Sequence, residues 1–129
     1  MNPGDRTAIE RFVRGTLGCQ CPDEVFQHVE AGPLPAGAGP GRRLLIGGRL
    51  LIHVIQAPQH LDEPDWLERL AAAGRDERDR LACNRFRLVV ATPPGAGGPI
   101  ALQERFTRAL GSDDRAHLHL VAADRLPIV

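Results

Sequence analysis

The sequence predicts a single α+β domain over 1–129, with a mixed sheet of about four to five strands packed with about three helices. Three observations carry that expectation. Two β-rich apolar runs flank Gly47-Gly48, which reads as an antiparallel hairpin or meander. The last third alternates strand, helix and strand, the pattern of a βαβ unit with parallel strands. Apolar residues at helical spacing recur ahead of, between and after those strands.

Taken in order, a helix is predicted over 5–17, because Ile9, Phe12, Val13 and Leu17 fall on one face. Thr7 and Glu10 fit a capping box, and Gly18 fits a helix stop. Pro22, Asp23 and Glu24 are helix-start residues, which puts Cys21 at an N-cap ahead of a short helical turn. That turn passes into a strand around 26–31, although Val25, Phe26 and Val29 also fit a longer helix. Residues 32–41, rich in Gly and Pro, read as a mobile, surface-exposed loop. The hairpin strands follow over 43–46 and 50–56. The longest helix, over 62–82, presents Trp66, Leu67, Leu70, Ala71 and Leu81, with Gly74 weakening its middle enough to invite a break. A buried strand over 85–92 ends at Pro93 and Pro94, a helix over 99–110 carries Ile100, Leu102, Phe106 and Leu110, and a last strand covers 117–122.

Composition narrows the function classes. With 129 residues, 43% hydrophobic and 25% charged, the chain has the make-up of a folded domain able to bury a core. Apolar runs such as 50–55 are too short to cross a bilayer and the first residues lack a signal-peptide pattern, so a cytoplasmic protein without membrane contact is expected. An odd number of cysteines, three, argues against a disulfide-stapled scaffold and for reduced thiols. Sixteen positive residues balance sixteen negative ones, so no global basic field draws in nucleic acid.

Every positive residue is Arg, consistent with GC-rich, bacterial-like coding. Without Lys, Schiff-base chemistry and a GxxxxGK[ST] phosphate loop are excluded. Ser112 is the only serine and sits in a Gly-Ser-Asp-Asp loop unlike a nucleophile elbow, which argues against Ser-His-Asp hydrolysis.

The element order resembles the core of the restriction-endonuclease-like fold. That family's chemistry requires an acidic residue and an acid-x-Lys pair on the central hairpin strands. Here those strands read Arg-Arg-Leu-Leu-Ile and Arg-Leu-Leu-Ile-His-Val-Ile, so the resemblance implies no nuclease activity.

The segment Cys19-Gln20-Cys21-Pro22 is the leading candidate for chemistry. A helix N-terminus at Pro22 would stabilise a Cys21 thiolate, while Asp23, Glu24 and the end of the first helix beside Cys19 oppose it. Cys21 and Cys19 are therefore the candidate catalytic thiols. The same pair, with Cys83, His117 and His119, and with His28 as a further donor, is the candidate ligand set for zinc or an iron–sulfur cluster. His117 and His119 share one face of the last strand, which also fits a half-exposed sheet face. The alternative for the cysteines is plain packing in turns and core.

Gly95, Gly97 and Gly98 join a strand to a helix, where backbone amides can cradle an anion, but Ile100 and Pro99 leave the dinucleotide fingerprint incomplete and an ordinary connecting loop is the favoured reading. The run from Arg75 to Arg80 offers i,i+4 pairs, Arg75 with Asp79 and Asp76 with Arg80, as expected of a solvated helix face. Arg85 and Arg87 alternate with Phe86 and Leu88, so two guanidiniums emerge on one sheet face, and Arg42, Arg43 and Arg49 are placed to extend an anion site there. Two functions are consistent with these residues. One is a thiol-dependent redox or metal-binding protein centred on Cys19 and Cys21; the other is a non-catalytic accessory module that binds a protein partner or forms a homo-oligomer.

Overall fold

The structure, a computed structural model, describes residues 3–20, 22–35, 38–56, 65–92, 99–111, 113–122 and 126. Helix α1 (Pro3–Arg11) runs directly into a π-helical turn, Phe12–Thr16. A 3-10 turn, Asp23–Gln27, leads to strands β1 (Val29–Gly32), β2 (Gly41–Ile46) and β3 (Leu50–Ile55). Helix α2 (Trp66–Arg80), strand β4 (Arg85–Thr92), helix α3 (Pro99–Leu110) and strand β5 (Ala116–Ala122) complete the chain.

The five strands form one mixed sheet in chain order. β1, β2 and β3 are an antiparallel meander; β3 with β4 and β4 with β5 are parallel, joined through α2 and α3. This is the α+β architecture expected from the sequence. The meander turns at Gly47 (φ +61°) and Gly48 (φ +66°), with the Arg49 N–H donating to the Ile46 carbonyl at 3.0 Å. Both left-handed positions suit glycine, and at Gly47 the Val25 backbone comes so close that a Cβ would meet it at 2.9 Å.

Alternation along the strands gives the sheet two apolar faces. Ile9, Phe12, Val13 and Leu17, with Val25 and Phe26, cover Leu44, Ile46, Leu50, Ile52 and Val89 on one side. On the other, Trp66, Leu67, Leu70 and Ala71 of α2 and Phe106 and Leu110 of α3 cover Leu51, Ile55, Phe86, Leu88 and Val90.

Several local expectations are corrected. α1 starts at Pro3, so Thr7 and Glu10 lie inside the helix and are not its cap. The N-cap of the 3-10 turn is Pro22, not Cys21, and five residues of 3-10 helix carry little dipole. The loop after β1 is not wholly exposed, because Ala38 is buried under the α2-side core. α2 does not break at Gly74: the missing side chain admits the Phe86 ring, which a Cβ there would overlap. Leu81, counted in the apolar face of α2, is instead exposed at its C-terminus, and Ile100 of α3 is 74% exposed.

Candidate functional site

The thiol segment begins where the first helix ends. Gly18 adopts φ +73°, and the Cys19 N–H turns back to donate to the Val13 carbonyl at 3.0 Å. This reversal sets Cys19, partly buried, against the α1-side core. Cys19 is disulfide-bonded, whereas Cys83 is a buried free thiol, so the expectation of uniformly reduced thiols does not hold for Cys19. An odd count does not preclude a bridge. Cys21 lies outside the described residues, as do Gly95, Gly97 and Gly98.

Cys19 lines a cavity of about 400 Å³ at the end of the sheet where β3 and β4 begin. Arg49, Asn84, Arg85 and Arg87 line it too, with Val25, Ile46 and Leu50 as its apolar wall. The arginines converge because the Arg49 carbonyl accepts from the Asn84 N–H at 2.7 Å and the Arg85 N–H at 3.3 Å, fastening the hairpin turn to the start of β4. Arg85 and Arg87 then point to this face while Phe86 and Leu88 between them point to the other.

Neutral groups hold two of the guanidiniums. Arg87 Nη1 donates to the Leu17 carbonyl at 3.1 Å and to His119 Nε2 at 2.8 Å. Arg85 Nη1 contacts the Asp114 carbonyl at 3.3 Å and His117 Nε2 at 3.4 Å. Burial, reinforced by Arg87 and His117, lowers the His119 pKa to about 4, so at neutral pH the ring is uncharged and its Nε2 accepts. Burial and the two arginines likewise pull His117 below its ordinary value. Burial, with the charge of Arg85, lowers the Arg87 pKa as well, and its Nε is buried without a partner among the described residues.

The sequence-derived candidates thus divide. Cys19, Arg49, Arg85 and Arg87 come together, and His117 and His119 stand directly behind the arginines. Cys83 does not join them: it packs on the opposite side of the sheet, where burial raises its thiol pKa. His28 is exposed after the 3-10 turn. Arg42 is exposed, and Arg43 pairs with Glu77 at 2.7 Å on the α2 side. Among the described residues, no group of three or more His, Cys, Asp and Glu side chains is arranged to hold a metal ion.

Two polar clusters escape sequence reasoning. His53, 1% exposed, places Nε2 3.1 Å from Glu77 Oε1 and stacks edge-to-face on Phe86 at 5.0 Å. A histidine inside the otherwise apolar run of β3 is the signal that could have found it. Arg78, 2% exposed, makes a bidentate pair with Asp113 at 2.9 and 2.8 Å, which corrects the reading of its charged run as a solvated face. A larger groove of about 910 Å³ runs between the π-turn, α3 and β5 and is lined by His119, and among the described residues no cysteine lines it.

Compared with models of known families, with curated proteins and with solved structures, the chain matches none. Among the described residues, no helix is long and apolar enough to cross a membrane.

Proposed function

We propose that this is a thiol–disulfide exchange protein using Cys19 and Cys21 as its redox pair. The observation that carries the reading is a disulfide-bonded Cys19 on the wall of an open cavity, beside three arginines, rather than in the core. In the exchange, a substrate thiolate attacks Cys19 Sγ and the disulfide opens, its electron pair leaving on the Cys21 sulfur. A second substrate thiolate attacks the mixed disulfide, releasing the Cys19 thiolate and a substrate disulfide. Two electrons pass to the protein, and its two thiolates take up two protons from solvent, matching those lost when the substrate thiols ionised. Arginines lining the same cavity would favour the thiolate over the thiol, against the helix end that precedes Cys19. A cycling pair of this kind suits a reducing cytoplasm, where the Cys83 thiol also persists.

Zinc or iron–sulfur ligation by Cys19 and Cys21 draws less support, because Cys83 lies across the sheet and the Nε2 atoms of His117 and His119 face guanidiniums. Incubating the protein in thiol–disulfide buffers of graded ratio, alkylating and weighing it tests the reading. A reversible gain of two hydrogens is expected, absent from Cys19→Ser and Cys21→Ser and retained in Cys83→Ala. A folded protein that excess thiol leaves unreduced, or a transition indifferent to Cys19→Ser, would overturn it.

A further inference from the structure

We infer that the cavity at Cys19 recognises a small molecule bearing a fixed anionic group, a sulfonate, carboxylate or phosphate. On the redox reading proposed above, on which this part rests, the exchanging thiol is therefore an anionic one.

Charge is the first ground. Arg49, Arg85 and Arg87 share one cavity, and among the side chains that the structure describes, which do not include that of Asp23, no carboxylate forms an ion pair with any of them. Arg43, Arg78, Arg80, Arg105 and Arg115 each hold a carboxylate partner, whereas Arg11, Arg42, Arg69 and Arg108, like the cavity arginines, are in no ion pair among the described residues; what sets Arg49, Arg85 and Arg87 apart is that they line one cavity. Crowding three cations is unfavourable unless an anion joins them, the more so because Arg87 is partly desolvated.

Orientation is the second. The partners that fix Arg85 and Arg87 are two carbonyls and two imidazoles. These groups hold the guanidiniums without cancelling their charge, so two of the residues lining the cavity stay cationic. Shape is the third ground: about 400 Å³ suits a small molecule. Val25, Ile46 and Leu50 offer an apolar wall for a short carbon chain, and Asn84 supplies an amide.

The test uses ethanedisulfonate, an anion with no thiol, and a pair of thiols differing in charge. Calorimetry at low salt should show ethanedisulfonate binding to the wild-type protein, weakened about tenfold in Arg49→Gln and in Arg85→Gln, one favourable charge contact each. Arg49 is exposed, so its variant folds even if the other does not. Mercaptoethanesulfonate should reduce the Cys19 disulfide about tenfold faster per thiolate than mercaptoethanol, a ratio falling toward one in both variants. No binding, or binding unchanged by both substitutions, overturns the anion site. Arginine-dependent binding with no reduction by either thiol upholds the anion site and overturns the redox reading. Binding with equal rates for the two thiols overturns the anionic substrate.

Discussion

Arg87 and His119 meet across the parallel β4–β5 pair, Nη1 to Nε2 at 2.8 Å, with the imidazole accepting from a cation. Protonating His119 would set two positive groups face to face in a partly buried site.

This contact predicts a pH dependence of stability. In the unfolded chain His119 titrates near its ordinary value of 6.5, and in the folded protein near 4. Its contribution is complete above pH 6.5, declines as the pH falls because the unfolded state takes up the proton first, and is gone below about 4. His53 and His117 are shifted in the same direction and add to the slope. Urea unfolding compared at about pH 7.5 and about pH 5, across the range where histidines titrate, should show a larger loss for the wild type than for His119→Gln. Equal losses would count against the neutral-acceptor role.

The Arg78–Asp113 pair ties the C-terminal half of α2 to the segment before β5. Removing one partner of a buried pair costs about 3 kcal/mol, the amount expected for Arg78→Ala in chemical denaturation. Arg78 holds the Asp113 carboxyl below its ordinary range. That stabilisation is present above the unfolded carboxylate pKa and is lost as pH falls through the lower folded value. Asp113→Asn should flatten this acid limb.

Gly74 sits mid-helix, where alanine is the better helix former by about 1 kcal/mol. The Phe86 ring fills the space an alanine methyl would occupy, so Gly74→Ala should destabilise by about 1–3 kcal/mol despite that propensity. Phe86→Leu in the same chain should recover part of the loss. A Gly74→Ala protein that melts higher than the wild type would refute the packing account.

Cys83 is buried and its thiol pKa is raised chiefly by desolvation. Iodoacetamide at neutral pH should label it at least about tenfold more slowly in the folded protein than in denaturant, as a buried thiol is inert. Equal rates would show that the α2–β4 corner opens readily.

The elements were legible where periodicity is strong. β4 and α3 fall on the expected ranges, and Gly47-Gly48 marks the hairpin because two left-handed residues in succession favour glycine. The site was half legible. Alternation puts Arg85 and Arg87 on one face, but nothing local tells that Arg49 and Cys19 border the same cavity, since the Arg49 carbonyl bonds reach the start of β4 and Cys19 is set in place by its own bond back to Val13. Arg78 looks like one more charge in a solvated run, because its partner is 35 positions away. Helical spacing reports only neighbours on the same helix. Residue type groups Cys83 with Cys19, and only the two-sided sheet separates them.

The bond from Arg87 to the Leu17 carbonyl joins positions 70 residues apart. During synthesis the cysteine segment therefore emerges long before the arginines that will surround it. Until β4 takes its place beside β3, the cavity at Cys19 lacks Asn84 and two of its three cations, Arg85 and Arg87. Whatever chemistry the cavity imparts is acquired late, as a by-product of the last strands closing the sheet.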